Sequence, residues 1–431
     1  MRYLMICLIS SAALNALDVA AAPSATFYRD VLPILQERCQ SCHRAGEIGP
    51  MPLGTYTETR PWAKAIRQAV VTRKMPPWNA DGPHGKFRND PSLSQAQLDT
   101  LVAWVDGGAL EGDAKDAPPA RNFTDGWTIG TPDAIFDMPK AYDVPSTGTI
   151  EYSYVIVPSG FKEDRWMSSA EVRPGNRAVV HHANVYVREP GSQWLREYPY
   201  GEAFVPHEKT VRAGEGGSSS AGAGIEEQMI AGYIPGRPAR QVPPGYGMLV
   251  PAGSDLVFQM HYTTNGKAVR DRTKVGFVFA KQPPAKRVIR VQASNAKFVI
   301  PPGAASYPVS GTAQLGVECE LIDAYPHMHF RGQSMTLSAT YPTGEREQLL
   351  RVPRYDFNWQ LVYEMGQPKL LPTGTLLRAD ATFDNSPNNR FNPDPKAEVR
   401  WGDQTWEEMM VGFFDVAIPV KTDLEKVLAK Q

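Results

Sequence analysis

The sequence predicts a small helical unit followed by a long all-β region, and three observations carry that expectation. Sustained helical periodicity is rare after Gly108. Beyond Ile129, short β-branched and aromatic runs recur between turn signals, the spacing of antiparallel sandwiches. The 36 glycines and 38 prolines among 431 residues suit a chain with many turns.

The chain opens with an address. Arg2 precedes an apolar run from Tyr3 to Ala16 that is too short to span a bilayer, and Val19-Ala20-Ala21 offers a small-x-small cleavage site. Residues 1–22 therefore read as a signal peptide. Its removal takes Cys7 with it and places the mature protein in the periplasm or outside the cell. No later stretch approaches the ~20 apolar residues of a membrane helix, so no membrane span is expected. The formal net charge of −1 gives no reason to expect a nucleic acid partner. Three cysteines then remain, Cys39, Cys42 and Cys319, an odd number that predicts domains held without disulfides.

Cys39-Gln40-Ser41-Cys42-His43 is the attachment signature of a covalent c-type haem. Two thiols bond the vinyl groups, and the adjacent histidine becomes the proximal iron ligand. A redox dithiol or half of a zinc site is the plain alternative. The flanks are helical: Phe27, Val31, Leu32, Ile34 and Leu35 make one apolar face, with Pro33 tolerable if the helix starts just before it. Downstream, Ser94 to Gln97 reads as a capping box, Leu98, Leu101, Val102 and Val105 share a face, and Gly107-Gly108 supplies a stop. Residues 25–113 resemble a short cytochrome c domain, which is expected to span 23–115. That resemblance implies an axial methionine in the stiff loop Lys74-Met75-Pro76-Pro77-Trp78 and a proline turn at Gly49-Pro50 whose carbonyl accepts from the proximal histidine. Met75 is preferred over Met51 as the sixth ligand, with packing as its bland role.

Residues 116–130 are a polar, proline-containing linker. The β runs that follow are Tyr152–Val157, Arg165–Val172, Ala178–Val187, Asp255–Thr263, Val275–Phe279, Lys297–Ile300, Glu318–Ala324, Met335–Tyr341, Leu376–Phe383 and Met410–Ile418. A break at Gln282-Pro283-Pro284-Ala285 divides them into halves of 131–285 and 286–431, each near the commonest domain size. The Gly/Ser-rich piece from Ala213 to Gly224 reads as a surface loop.

Three of the eight histidines fall in these β runs, and two more, His327 and His329, fall in the similarly apolar stretch Tyr325–Phe330 that follows Glu318–Ala324. His327 and His329 alternate along a strand, so they share a face and can chelate one ion. His181 and His182 are adjacent, so both reach one metal only if the strand bends, bulges or ends there. His261 offers a third nitrogen in the first half. The second half has no third histidine, and a methionine of Glu407-Glu408-Met409-Met410 can fill the gap. A thioether with two imidazoles suits copper, especially Cu(I), and suits zinc poorly. The bland reading makes each of these an ordinary core residue.

His181-His182, His261-Tyr262, His327-Met328-His329 and Glu408-Met409 stand in the order and approximate spacing of the copper type II, ascorbate-dependent monooxygenases, the peptidylglycine alpha-hydroxylating and dopamine beta-monooxygenase family, which residues 130–420 resemble. The resemblance implies two jelly-roll-like sandwiches, each with one copper ion, separated by a solvent-filled cleft. It implies an electron-transfer copper on His181, His182 and His261, and an oxygen-activating copper on His327, His329 and Met409. Met409 rather than Met410 follows from the family's acidic residue directly before the ligand. The implied reaction is hydroxylation of a C–H bond of a small organic substrate with O2. The family takes its electrons from ascorbate and lacks a fused cytochrome; the fusion of the haem unit to this chain motivates the expectation that an external donor, ascorbate or a redox protein, supplies electrons here through the haem.

Three rival functions remain in view: a non-catalytic haem and copper electron carrier, a zinc hydrolase, and an adhesion or carbohydrate-binding module. Arg331 and the loop from Ala213 are the places to look for substrate contacts, whereas His84 and His207 read as surface residues and Cys319 as a buried, inert thiol.

Overall fold

The computed structural model describes residues 24–429 apart from 46, 48, 83–85, 124–125, 207–223, 226–228, 236–237 and 403. The expected signal peptide with Cys7, the two surface histidines His84 and His207, and the Gly/Ser-rich loop up to residue 223 lie outside the described residues. Among the described residues the chain is mostly β-sheet, and the α-helices fall before residue 107. Among the described residues, no helix is long and apolar enough to cross a membrane.

The helical unit starts with a π-helical turn, Phe27–Val31, that runs into the α-helix Leu32–Arg38. Pro33 sits in the first turn of that helix, where a missing N–H leaves no bond unmade. Tyr56–Thr59 and Ala63–Val71 follow, and Gln95–Asp106 opens with the expected Ser94/Gln97 capping box and stops at Gly107. The buried positions of this last helix are Leu101 and Trp104. Trp104 thus replaces the smaller Leu98, Val102 and Val105 as its main core contact. Phe27 lies 6.1 Å from the Trp104 ring and 5.6 Å from Tyr56, so the first and last helices meet through an aromatic core.

Each of the ten predicted β runs contains strand, although Lys297–Ile300 shrinks to Val299–Ile300. In the first half, a five-stranded sheet has the order Ala203–Phe204, Ser153–Pro158, Asp255–Tyr262, Val180–Arg188, Met229–Tyr233. Its apolar face, including Val155, Val185 and Phe258, packs on Met167, Val172, Met248 and Phe277 of a second sheet. In the second half, the four-stranded sheet Tyr307–Gln314, Leu376–Phe383, Gly332–Thr340, Arg346–Val352 covers Val291, Leu321, Phe414 and Val416. Both halves are therefore sandwiches with their own core.

The sheet beneath the two cores is continuous. It runs Ala134–Asp137, Lys274–Phe279, Arg165–Arg173, Tyr246–Val250, Lys286–Ser294, Val411–Pro419, Cys319–His327, Tyr363–Leu371. The seam is a short parallel pairing of Tyr246 and Gly247 with Lys286 and Arg287. A side chain on Gly247 would come within 2.7 Å of Pro284 and 2.9 Å of Trp166, so the seam closes only over a glycine. Beside it, Arg290 clamps Asp415 at 2.6 and 2.9 Å, while Arg240 from the first half reaches the same carboxylate at 2.5 Å.

The helical unit rests on both sandwiches. Glu47 pairs with Arg177, at the approach to the strand Val180–Arg188. The segment before the last helix lies on the second sandwich: Arg88 binds Glu364 at 2.6 Å, Asn89 donates to the Val362 carbonyl at 2.7 Å, and Trp78 and Phe87 pack on Tyr363. The linker is also held, by Gln36 donating to the Pro119 carbonyl at one end and Thr128 donating to Glu171 at the other.

Candidate metal centres

The strand Val180–Arg188 pairs with Asp255–Tyr262 through His182 opposite His261, and the next pair is Val180 opposite Tyr262. His181 is thus the extra residue of a β-bulge, the distortion that adjacent histidines require if both are to face one point. The Nδ1 atoms of His181 and His182 lie 3.2 Å apart, and those of His261 and His182 lie 3.4 Å apart. Ligand atoms of all three fall within 4.8 Å of one another, and among the described residues this is the only such group of three or more His, Cys, Asp or Glu.

Burial lowers the pKa of all three rings: His261 is pushed down to about 3, His182 well below the usual imidazole value, and His181 less. A neutral imidazole offers one ring lone pair to a ligand, and three such rings converge here. The donor set therefore fits a metal ion. Tyr152 stacks on His261 at 4.6 Å and restrains that ring.

His327 ends the strand Cys319–His327, and His329 follows in the turn, with ring centroids 5.3 Å apart. Their Nδ1 atoms are engaged elsewhere. That of His327 donates to Oε1 of Gln360 at 2.7 Å, and that of His329 to the Glu407 carbonyl at 3.3 Å. Each ring therefore keeps Nε2 for a ligand. Burial pushes His327 down to about 4 and His329 to about 3, so both rings are neutral at neutral pH.

Glu408 builds the turn that carries His329. One carboxylate oxygen accepts from the His329 N–H at 2.8 Å and the other from the Arg331 N–H at 2.6 Å. Burial pushes its pKa up to about 8 against the pull of these donors. Met410, 0 % exposed, belongs to the apolar core, whereas half-buried Met409 packs beside Val411 and Phe413. The Phe413 ring of that cluster is 6.2 Å from His327. Arg331 is buried and committed to Asn385 at 2.8 Å and the Trp406 carbonyl at 2.8 Å. Its guanidinium holds the turn together and is not an open substrate contact.

The two clusters approach each other. His182 lies in the electrostatic field of His327 and His329, and His329 in that of His261. Where the resemblance implies a solvent-filled cleft, the ring of Phe357, 7 % exposed, fills the point of approach. It stacks on His181 at 6.0 Å and meets His329 edge-on at 6.2 Å. Composition gave no sign of Phe357, because a lone phenylalanine in a loop reads as ordinary packing.

In the helical unit, Cys39 caps Leu32–Arg38, and the Cys42 and His43 N–H groups both bond its carbonyl. Cys39 and Cys42 are free thiols, with Cys39 pushed up to about 12 by burial. The His43 Nδ1 meets the Met51 carbonyl at 3.1 Å, one residue beyond the expected Gly49-Pro50 turn. That bond leaves Nε2 of His43 free. A side chain on Gly49 would sit 2.8 Å from Nδ1 of His43, so the turn folds over the ring only with glycine there. Two unpaired thiols beside a histidine with a free Nε2 fit a c-type haem. Met51 packs in the helical core, and half-buried Met75 follows the helix Ala63–Val71, with no hydrogen bond or ring contact to His43 among the described residues. Cys319 is buried and pushed up to about 12 by burial, as an inert thiol should be.

By fold, then, the chain is a two-sandwich β protein carrying a helical unit, with histidines of both sandwiches facing one another. No family model matches it, and no curated protein does. Among solved structures, that of the infectious bursal disease virus Gx strain aligns at 9 % identity over 69 % of this chain and 76 % of that one, with a TM-score of 0.19. The structure of PNGF-II aligns at 9 % identity over 66 % and 60 %, with a TM-score of 0.20. Similarity at this level assigns neither fold nor function.

Proposed function

We propose that the chain is an exported copper-dependent monooxygenase that hydroxylates a C–H bond of a small organic substrate, converting R–H, O2, two electrons and two protons into R–OH and water. The observation that carries this reading is the convergence of His181, His182 and His261 opposite the pair His327 and His329. Copper would be held by that triad and by His327, His329 and Met409. A c-type haem would be held by Cys39, Cys42, His43 and Met75. When bound, copper supplies one-electron chemistry toward O2 and the haem supplies electrons from an external donor.

The chain's own residues do the rest. The triad would offer one ring nitrogen from each histidine, two of them adjacent on a bulged strand. His327 and His329 offer Nε2, with their other nitrogens tied to Gln360 and Glu407. The buried ring of Phe357 lies against His181 on one side and His329 on the other. Glu47 and Arg177 hold the Cys-x-x-Cys-His loop near the strand that carries the triad.

Elemental analysis with Cu(II) electron paramagnetic resonance on protein matured in a cytochrome-assembling host tests this directly. One iron and about two type II coppers per chain support it, and zinc or no second metal overturns it. A second reading, the non-catalytic electron carrier, is favoured by Phe357, which fills the space a substrate would need. Oxygen uptake on adding reductant and candidate substrates separates the two, since a carrier consumes none.

A further inference from the structure

The loop between the strands Arg346–Val352 and Tyr363–Leu371 belongs to the second sandwich, yet it touches both histidine clusters. Tyr355 grips the residue between His327 and His329: its hydroxyl donates to the Met328 carbonyl at 2.6 Å and accepts the Met328 N–H at 3.1 Å. Phe357 stacks on His181 with planes 13° apart, lies 6.3 Å from His261, and meets His329 at 88°. Gln360 accepts from His327 at 2.7 Å. The loop then ends at Val362 and Tyr363, where Asn89, Trp78 and Phe87 of the helical unit hold it.

Two features make this more than packing. An amide oxygen only accepts, so Gln360 forces the His327 proton onto Nδ1 and leaves Nε2 as the ligand atom. The Gln360 amide nitrogen is buried and has no partner among the described residues. A buried donor without an acceptor is costly, so this N–H is suited to an acceptor oxygen on whatever binds beside His327. Phe357 meanwhile is, among the described residues, the one ring in contact with histidines of both sandwiches, so it fixes how closely the clusters approach.

Resting on the copper reading, we propose that residues 355–360 are a shared positioning element for both metal centres. Gln360 sets the ligating nitrogen of His327, and Phe357 sets the spacing between the clusters. The two ions therefore bind to one coupled site rather than to two independent domains.

The test uses the full chain and Cu(I) competition against bicinchoninate, in two backgrounds. His261→Ala leaves only the second cluster intact, and His329→Ala leaves only the triad. Gln360→Leu should weaken copper in the first background about tenfold and leave the second unchanged, the size expected for losing a partner that orients a ligand. Phe357→Leu, which keeps an apolar side chain but removes the ring that touches both clusters, should weaken both by about tenfold. An unchanged triad in Phe357→Leu overturns the shared role, and an unchanged second cluster in Gln360→Leu overturns the positioning of His327.

A second readout needs no metal. Nitrogen-15 shifts of the imidazoles report which nitrogen is protonated, and Gln360→Leu should release His327 from its single Nδ1–H form. A tautomer unmoved by that change overturns the proposal even where copper affinity falls. Should neither background bind copper with the loop intact, the copper reading fails, while the nitrogen shifts of His327 in Gln360→Leu and of His181 in Phe357→Leu still decide the role of the loop.

Discussion

Glu47 follows the Cys-x-x-Cys-His run by four residues, and its carboxylate pairs with Arg177, four residues before His181. Arg44 binds the other oxygen of Glu47 at 2.7 Å, so the contact is a two-arginine clamp on one half-buried acid. The turn around His43 is thereby fixed against the sandwich that holds the triad.

Reversing one charge of the clamp should loosen this seat. Glu47→Arg is expected to slow reduction of the triad's metal after the haem is reduced, read by stopped flow, and Glu47→Arg with Arg177→Glu should recover part of the rate. The coupling energy of such a partly buried pair is on the order of 1 kcal/mol. Equal rates in all three proteins would mean the seat has no part in electron delivery.

Acid should destabilise the metal-free chain. Burial holds His261 and His329 down to about 3 and His327 to about 4, below the 6.5 of a free imidazole. Between those limits only the unfolded chain takes up these protons. The stability they contribute is complete above pH 6.5 and is lost as pH falls toward 4, by roughly 1.4 kcal/mol per pH unit for each histidine. Thermal melts from pH 7.5 to 5 check this, and His261→Gln should flatten the slope. A melting temperature that stays constant over that range contradicts it.

The two methionines should separate cleanly. Met410→Ala opens a cavity in a fully buried core and should cost about 2–5 kcal/mol in chemical denaturation. Met409→Leu conserves volume and should cost under about 1.5 kcal/mol. Copper X-ray absorption of the Cu(I) protein is expected to lose its sulfur scatterer only in Met409→Leu. Retention of that sulfur would move the ligand elsewhere.

Asp415 carries the largest expected stability effect. It is 1 % exposed and receives Arg290 and Arg240, so Asp415→Ala leaves two guanidinium groups without their carboxylate. The loss should be about 3–5 kcal/mol. Urea denaturation of the variant measures it, and a loss below about 1 kcal/mol would mean that water reaches the site.

The pattern of the chain disclosed the parts whose physics is local. The Ser94/Gln97 capping box, the place of Pro33 and the β runs around His181, His261 and His327 are written in spacing and propensity. The bulge was legible as a requirement, since adjacent side chains on a regular strand face opposite ways. Other strands were hidden by residues that usually argue against strand. Tyr307–Gln314 contains Pro308, Tyr363–Leu371 contains Pro368, and the alternation of Lys286–Ser294 is interrupted by Arg290, which is buried only because Asp415 awaits it across the sheet. Phe357 and Gln360 were illegible for a further reason. Their roles arise from where a loop of one sandwich lands on the other, which no period in the chain records.

The parallel seam of Tyr246–Gly247 against Lys286–Arg287 limits how the molecule can be taken apart. Cutting the chain near residue 285 would leave each piece with a raw sheet margin, its N–H and C=O groups turned outward and ready to capture another chain. The smallest portion to express, graft or shuffle between proteins is accordingly the whole double sandwich, and a fragment holding either histidine cluster alone should come out of cells as aggregate.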